Sequence, residues 1–113
     1  MYSLPEIVKN NHKGIRTSNG KCSKYVNNRI VFNANNIFSE VKNNCYVVYS
    51  YGYHFPMYVF RSGKWYANKD KYSITTSSQQ TQSKPDNIDV YVKTEVLKDI
   101  INNISDIELA MIK

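Results

Sequence analysis

The spacing of apolar residues changes character along the chain, and each change marks an element. Between Cys45 and Ala67 the apolar positions are β-branched or aromatic and fall in short runs broken by turn residues, the pattern of consecutive strands. Tyr46 to Tyr51 predicts one strand, with Val47, Tyr49 and Tyr51 on one face and Tyr46, Val48 and Ser50 on the other. Gly52 breaks it, and Phe55-Pro56 is an extended or turn dipeptide because proline disfavours helical backbone in the residue before it. Met57 to Arg61 is the next strand, and Ser62-Gly63 reads as a two-residue hairpin loop into Lys64–Ala67. Asn68 to Lys71 turns the chain into a further strand at Tyr72 to Thr76. Ile88 to Val92 alternates as a last one.

Helical spacing occurs towards both ends. Ser3-Leu4-Pro5-Glu6 has the form of a capping box and starts a short helix to about Asn10. Ile37, Phe38 and Val41 share a face at i, i+1 and i+4 and predict a helix over Asn33–Val41. Thr94 is placed to cap a helix in which Val96, Leu97, Ile100, Ile101 and Ile104 form one apolar stripe. A second capping box, Ser105 to Glu108, restarts that helix after a break near Asn102-Asn103. Residues 12–28 are polar and basic, a flexible loop or a short hairpin around Asn19-Gly20, and Arg29 to Phe32 is a brief β-like run. These elements predict one α+β domain over residues 1–113. Its centre is a small antiparallel meander of about four to five strands, with a C-terminal amphipathic helix packed on it and short N-terminal helices.

Composition supports a single modest core, since 42% of residues are apolar. No run of eighteen apolar residues is present, and MYSLPEIVKNN lacks a basic region followed by an apolar stretch. A cytoplasmic chain, neither exported nor membrane-spanning, is the expectation. The net charge is +6, unevenly placed. Residues 1–42 hold seven Lys or Arg against two acids, residues 43–85 five against Asp70 alone, and residues 86–113 three Lys against six acids. A basic body attracts polyanions, while a charge of this size also serves ordinary solubility.

Candidate chemistry is sparse. A nucleophilic or acid–base enzyme needs a base at neutral pH, and only His12 and His54 qualify. The region 43–85 has one acid, which removes a carboxylate pair or an acidic metal cage. Cys22 and Cys45 are too far apart to match clustered metal ligands, so neither metal nor cofactor is expected and both thiols read as partly buried. A small enzyme using His54 is the weakest reading. Binding groups are richer. Tyr49, Tyr51, Trp65, Tyr66 and Tyr72 alternate with Arg61, Lys64, Lys69 and Lys71, the makings of a stacking platform beside phosphate-contacting cations, and His54 counts with them as a binding residue. The following segment, including Thr75, Thr76, Ser77, Gln79 and Gln80, offers hydroxyls and amides that donate and accept. It reads as a presented tail or a solvated linker.

The residues YSYG (49–52), HFP (54–56), WYAN (65–68), DKYS (70–73) and TTS (75–77), followed by Gln80, resemble a family of short phage, plasmid and mobile-element proteins. The family's recurring block runs roughly YSYG … P … W/N-x-x-KYS-x-TTS-x-H-Q. The likeness spans residues 46–84, and this chain has Gln79 where the block has His. The resemblance implies a mobile-element origin. Such origin suits a non-enzymatic inhibitor of a host nucleic-acid-targeting defence system, of the anti-CRISPR type, acting in the host cytoplasm. Its partner would be a defence nuclease or that nuclease's guide or target nucleic acid. The alternative is a basic, aromatic nucleic-acid-binding accessory protein.

Overall fold

A computed structural model of the chain describes residues 14–70, 74–102 and 104–111, with the backbone alone at 74–78 and 106. The helix expected near Ser3–Asn10, together with His12, Lys71 and Tyr72, lies outside the described residues. The strands are β1 (Ile15–Arg16), β2 (Phe32–Asn33), β3 (Ile37–Lys42), β4 (Cys45–Ser50), β5 (Pro56–Arg61), β6 (Lys64–Asn68) and β7 (Val90–Val92). The helices are α1 (Cys22–Asn27), α2 (Ile74–Ser83), α3 (Thr94–Ile101) and α4 (Asp106–Ala110). The α+β class holds, but one seven-stranded sheet in the order β1 to β7 replaces the expected four to five strands.

The sheet is mixed rather than an antiparallel meander. Neighbours from β2 to β6 are antiparallel, whereas β1–β2 and β6–β7 are parallel. Parallel neighbours cannot be joined by a hairpin, and each edge instead uses a crossover, α1 at one side and α2 at the other. Both tight hairpins have the backbone that twisted two-residue loops require. Asn43 and Asn44 have φ of 52° and 63°, Ser62 and Gly63 of 53° and 80°.

Four sequence expectations are corrected. Asn33–Val41 is not a helix: β3 pairs with β4, Ile37 opposite Ser50 and Lys42 opposite Cys45. Ile37, Ser39 and Val41 form the row that faces one core, and Ser39 is buried at 4% exposure. Its hydroxyl accepts the Phe32 N–H at 3.0 Å and donates to the Ile30 carbonyl at 3.4 Å. A satisfied serine in an apolar row hides the period of two. The polar stretch 12–28 contains β1 and α1, whose Cys22 and Val26, one turn apart, are both fully buried. Ile74-Thr75-Thr76 is helical, not a strand, and the segment after it continues as α2 instead of a linker.

Each face of the sheet buries a core. Phe32, Ile37, Tyr46, Val48, Phe60 and Trp65 pack with Cys22 and Val26 on one side. Val47, Tyr49, Val59, Tyr66 and Val92 pack with Leu97, Ile100, Ile101 and Leu109 on the other. The predicted stripe on α3 is therefore the stripe that faces the sheet. Side chains tie both ends of this helix down. Lys93, not Thr94, stands at the N-cap, and Asp70 Oδ2 accepts from the Thr94 N–H at 2.8 Å and its hydroxyl at 2.9 Å. These bonds, at the positive end of the helix, hold the Asp70 carboxyl below its ordinary range. At the other end, buried Arg61 donates to the Ile100 carbonyl at 3.0 Å and the Ile104 carbonyl at 2.6 Å, while Asn43 donates to Ile101 at 2.9 Å. Terminal carbonyls have no intrahelical donor, and a cation suits the negative end.

Arg61→Leu should therefore lower unfolding stability by about 2–4 kcal/mol, because it removes two charge-assisted bonds at this helix end and leaves the buried Ile100 carbonyl the weak thiol donor of Cys45. Lys64→Leu, at an exposed position in the same hairpin, should change it by about 0.5 kcal/mol or less. Urea denaturation of both variants checks the contrast.

Candidate functional site

The Ser/Thr/Gln segment is a polar helix docked on the first core. Gln79, Gln80 and Ser83 are buried at 2%, 8% and 0% exposure. Ser50 donates to Gln79 Oε1, Tyr58 donates to the Gln80 carbonyl at 2.6 Å, and Ser83 donates to the Gln79 carbonyl at 2.7 Å. Gln80 Nε2 donates to the carbonyls of Asn68 at 3.4 Å and Asp70 at 3.2 Å. Asn68 is the hub. Its amide donates to the Pro56 carbonyl at 2.8 Å and to the Thr94 hydroxyl at 2.9 Å, and its oxygen accepts the Asp70 N–H at 2.8 Å. Two further bonds join this region to α1: Ser23 donates to the Lys84 carbonyl at 2.7 Å, and Asp86 N–H donates to Asn27 at 2.7 Å. A hydrogen-bonding role for Gln79 is seen, but inward, and the expectation of a presented tail is corrected for Gln79 and Gln80. Thr75, Thr76 and Ser77 lie in the first turns of α2.

The expected stacking platform is not assembled. Tyr49, Trp65 and Tyr66 are buried at 2%, 6% and 3% exposure, so their faces pack the cores and are closed to a ligand. Trp65 is wedged between Tyr46 at 6.1 Å and Phe60 at 5.1 Å between ring centroids. Arg61, expected at a phosphate, is spent on the end of α3. Lys64 and Lys69 are exposed. Cys22 and Cys45 are buried free thiols, pushed up to about 11 by burial, and so protonated and unreactive at neutral pH. Burial likewise raises the phenols of Tyr46 and Tyr58 above their ordinary range. Among the described residues no group of three or more His, Cys, Asp or Glu is placed to hold a metal ion, and no helix is long and apolar enough to cross a membrane.

Two surfaces among the described residues carry candidate binding groups. The first is the β4–β5 loop, Tyr51 to His54. Tyr51 and Tyr53 are 60% and 67% exposed although both are large rings. Phe55, buried at 1%, anchors the loop, and the Tyr51 N–H donates to the Asn36 carbonyl at 2.8 Å. Tyr51 holds a φ of 64°, a backbone region unfavourable for a bulky side chain. Tyr53 packs edge-on against Phe38 and Tyr49, each 5.1 Å away between ring centroids, and those two rings stack on one another. The Tyr49 hydroxyl donates to Glu40 at 2.6 Å and fixes the base of the group. His54, exposed, lies over Gly52, where an added Cβ would come within 3.1 Å of its Nδ1. The second surface is a cleft of about 290 Å³ between α2 and the β6–β7 edge, lined by residues including Tyr58, Asn68, Lys69, Gln80, Lys84 and Tyr91.

Of the predicted residues, Tyr51 and His54 thus belong to the loop and Lys69 and Gln80 to the cleft. Phe38, Tyr53, Tyr58, Lys84 and Tyr91 were missed. Tyr53 sits in the turn beside Gly52, and Tyr91 points opposite to Val90 and Val92 in the last strand, so the turn marks the first as outward-facing and alternation the second.

Asn68→Ala should cost about 2–4 kcal/mol, since it removes three hydrogen bonds at once and leaves the Pro56 carbonyl and the Asp70 N–H without this partner. Gln79→Met should change stability by about 1 kcal/mol or less, because it gives up the bond to Ser50 but also removes Nε2, a buried donor with no acceptor among the described residues. Thermal and urea denaturation of the two variants measures the difference. Compared with known proteins, the chain matches no protein-family model, no curated protein and no solved structure.

Proposed function

We propose that the chain is a small non-enzymatic binding protein of a phage or other mobile element. It inhibits a host nucleic-acid-targeting defence system, of the anti-CRISPR type, by direct contact with the effector complex in the host cell. The observation that carries this reading is the Tyr51–His54 loop. Large rings exposed in one short loop are costly in water and are the usual anchors of protein interfaces. Tyr53 is already held by Phe38 and Tyr49, so binding freezes little additional side-chain freedom. The unfavourable backbone at Tyr51 is retained because the surrounding bonds over-determine it, a feature that clusters at functional sites.

The resemblance of residues 46–84 to mobile-element proteins supplies the class of partner. Within that block most side chains serve the core, whereas Tyr51 and His54 face outward. Nucleic-acid channels of RNA-guided nucleases are positively charged. A basic chain does not mimic DNA as a whole, which favours an aromatic contact with a protein surface of the effector.

The test is reconstitution. The purified chain should co-elute with a guide-loaded CRISPR effector and suppress its cleavage of target. The double variant Tyr51→Ala, Tyr53→Ala should keep the native circular dichroism spectrum and inhibit at least about tenfold less well. No effect on target binding or cleavage by any effector would sink the proposal.

A further inference from the structure

We infer that the cleft between α2 and the β6–β7 edge binds a phosphate-bearing aromatic ring, the unit presented by a nucleoside monophosphate or by the end of a nucleic-acid strand. The cleft shares no residue with the Tyr51–His54 loop, and this inference stands or falls independently of the inhibitor reading. Its volume of about 290 Å³ is near the lower end for small-molecule sites and suits one planar ring with its phosphate. Ala67 contributes a small side chain to the lining, which leaves the space open. Tyr91, on the edge strand, is 53% exposed and lines the cleft with a ring on which a base can stack.

Among the described residues the charges lining the cleft are of one sign: Lys69 and Lys84 both line it and both are exposed, and no described carboxylate lines it. The acids Asp70 and Asp89 stand outside the described lining: Asp70 Oδ2 accepts from Thr94 and lies within electrostatic reach of Lys69, and Asp89 Oδ2 accepts the Trp65 N–H at 2.8 Å. Both lysines start from fixed backbone. The Lys69 N–H donates to the Val92 carbonyl at 2.8 Å, and the Lys84 carbonyl accepts from Ser23 at 2.7 Å. Tyr58 and Gln80 are locked to one another, so the wall between the lysines is preorganised. Two ammonium groups suit a phosphate as point charges, and a neutral polar wall with a ring suits a base. The nucleic-acid contact expected of the strand aromatics is thereby relocated to Tyr91 and these two lysines.

The full-length, isotopically labelled chain should be titrated by NMR with adenosine 5′-monophosphate, with inorganic phosphate and with a short 5′-phosphorylated single strand. The expected result is saturable shifts confined to residues 67–69, 80–84 and 90–92. Affinity for the nucleotide should exceed that for inorganic phosphate at least about tenfold. Lys84→Glu and Lys69→Glu, both at exposed positions, should each weaken binding about tenfold or more, and Tyr91→Phe should retain the binding that Tyr91→Ala loses. A strand bound more tightly than the free nucleotide identifies nucleic acid as the source, and equal affinity identifies the free nucleotide. Absence of saturable shifts at millimolar ligand, a nucleotide bound no better than phosphate, or indifference to Lys84→Glu would each overturn the inference.

Discussion

Every residue of β4 and β5 is buried, on both faces of the sheet. A strand pair of this kind cannot face water on either side, so the chain must cover the sheet twice. The two covers are built by different physics. On the face of Val47 and Val59, α3 brings Leu97, Ile100 and Ile101 into an apolar seam, and each such side chain contributes about 1.5–3 kcal/mol by leaving water. On the opposite face, α2 buries amides and hydroxyls. A satisfied hydrogen bond contributes only about 1 kcal/mol net, whereas a buried polar group left unmade costs about 1–3 kcal/mol. That cover is therefore held by its hydrogen bonds, which satisfy every named group but Gln79 Nε2, and Asn68, which joins β5, β6 and the start of α3, is their hub.

This division accounts for where the chain's reactive-looking groups have gone. Arg61 closes one end of α3 and Asp70 the other, the thiols are protonated and enclosed, and the phenols of Tyr46 and Tyr58 donate to carbonyls within the fold. Groups that a sequence reader assigns to ligands are consumed by helix ends and buried backbone. Among the described residues, an aromatic loop at the β4–β5 connection and a small cationic cleft at the β6–β7 edge stay open for recognition.

The sequence made the apolar half of this architecture legible. β4, β5 and β6 announce themselves through β-branched and aromatic runs, the Ser62-Gly63 turn through its residues, and α3 through its stripe. The polar half was not legible, because burial there is achieved by hydrogen bonding and leaves no hydrophobic period. Ser39 interrupts the inner row of β3, and Ile37, Phe38 and Val41 then fit a helix as well as a strand. Among the described side chains of α2 the buried ones are Gln79, Gln80 and Ser83, which read as solvent-facing on any hydropathy scale. The parallel edges were hidden for a topological reason, since pairing of β7 with β6 depends on where a helix of that composition docks. Of the candidate site, His54 was visible as a turn residue and Tyr51 as an aromatic, though the expected strand ran one residue too far and included it, while Lys84 and Tyr91 come together only through the β6–α2–β7 crossover.

The central claim is that the Ser/Thr/Gln segment is a structural cover and not a presented tail. Native-state amide hydrogen exchange of the folded chain tests it most directly. The backbone amides of Gln80 to Ser83 should be protected at least about a thousandfold over an unstructured chain, in the range of the neighbouring strands, because they open only when the Asn68 network opens. Exchange at the rate of an unstructured chain in this segment, with β4 and β5 still protected, would contradict the account.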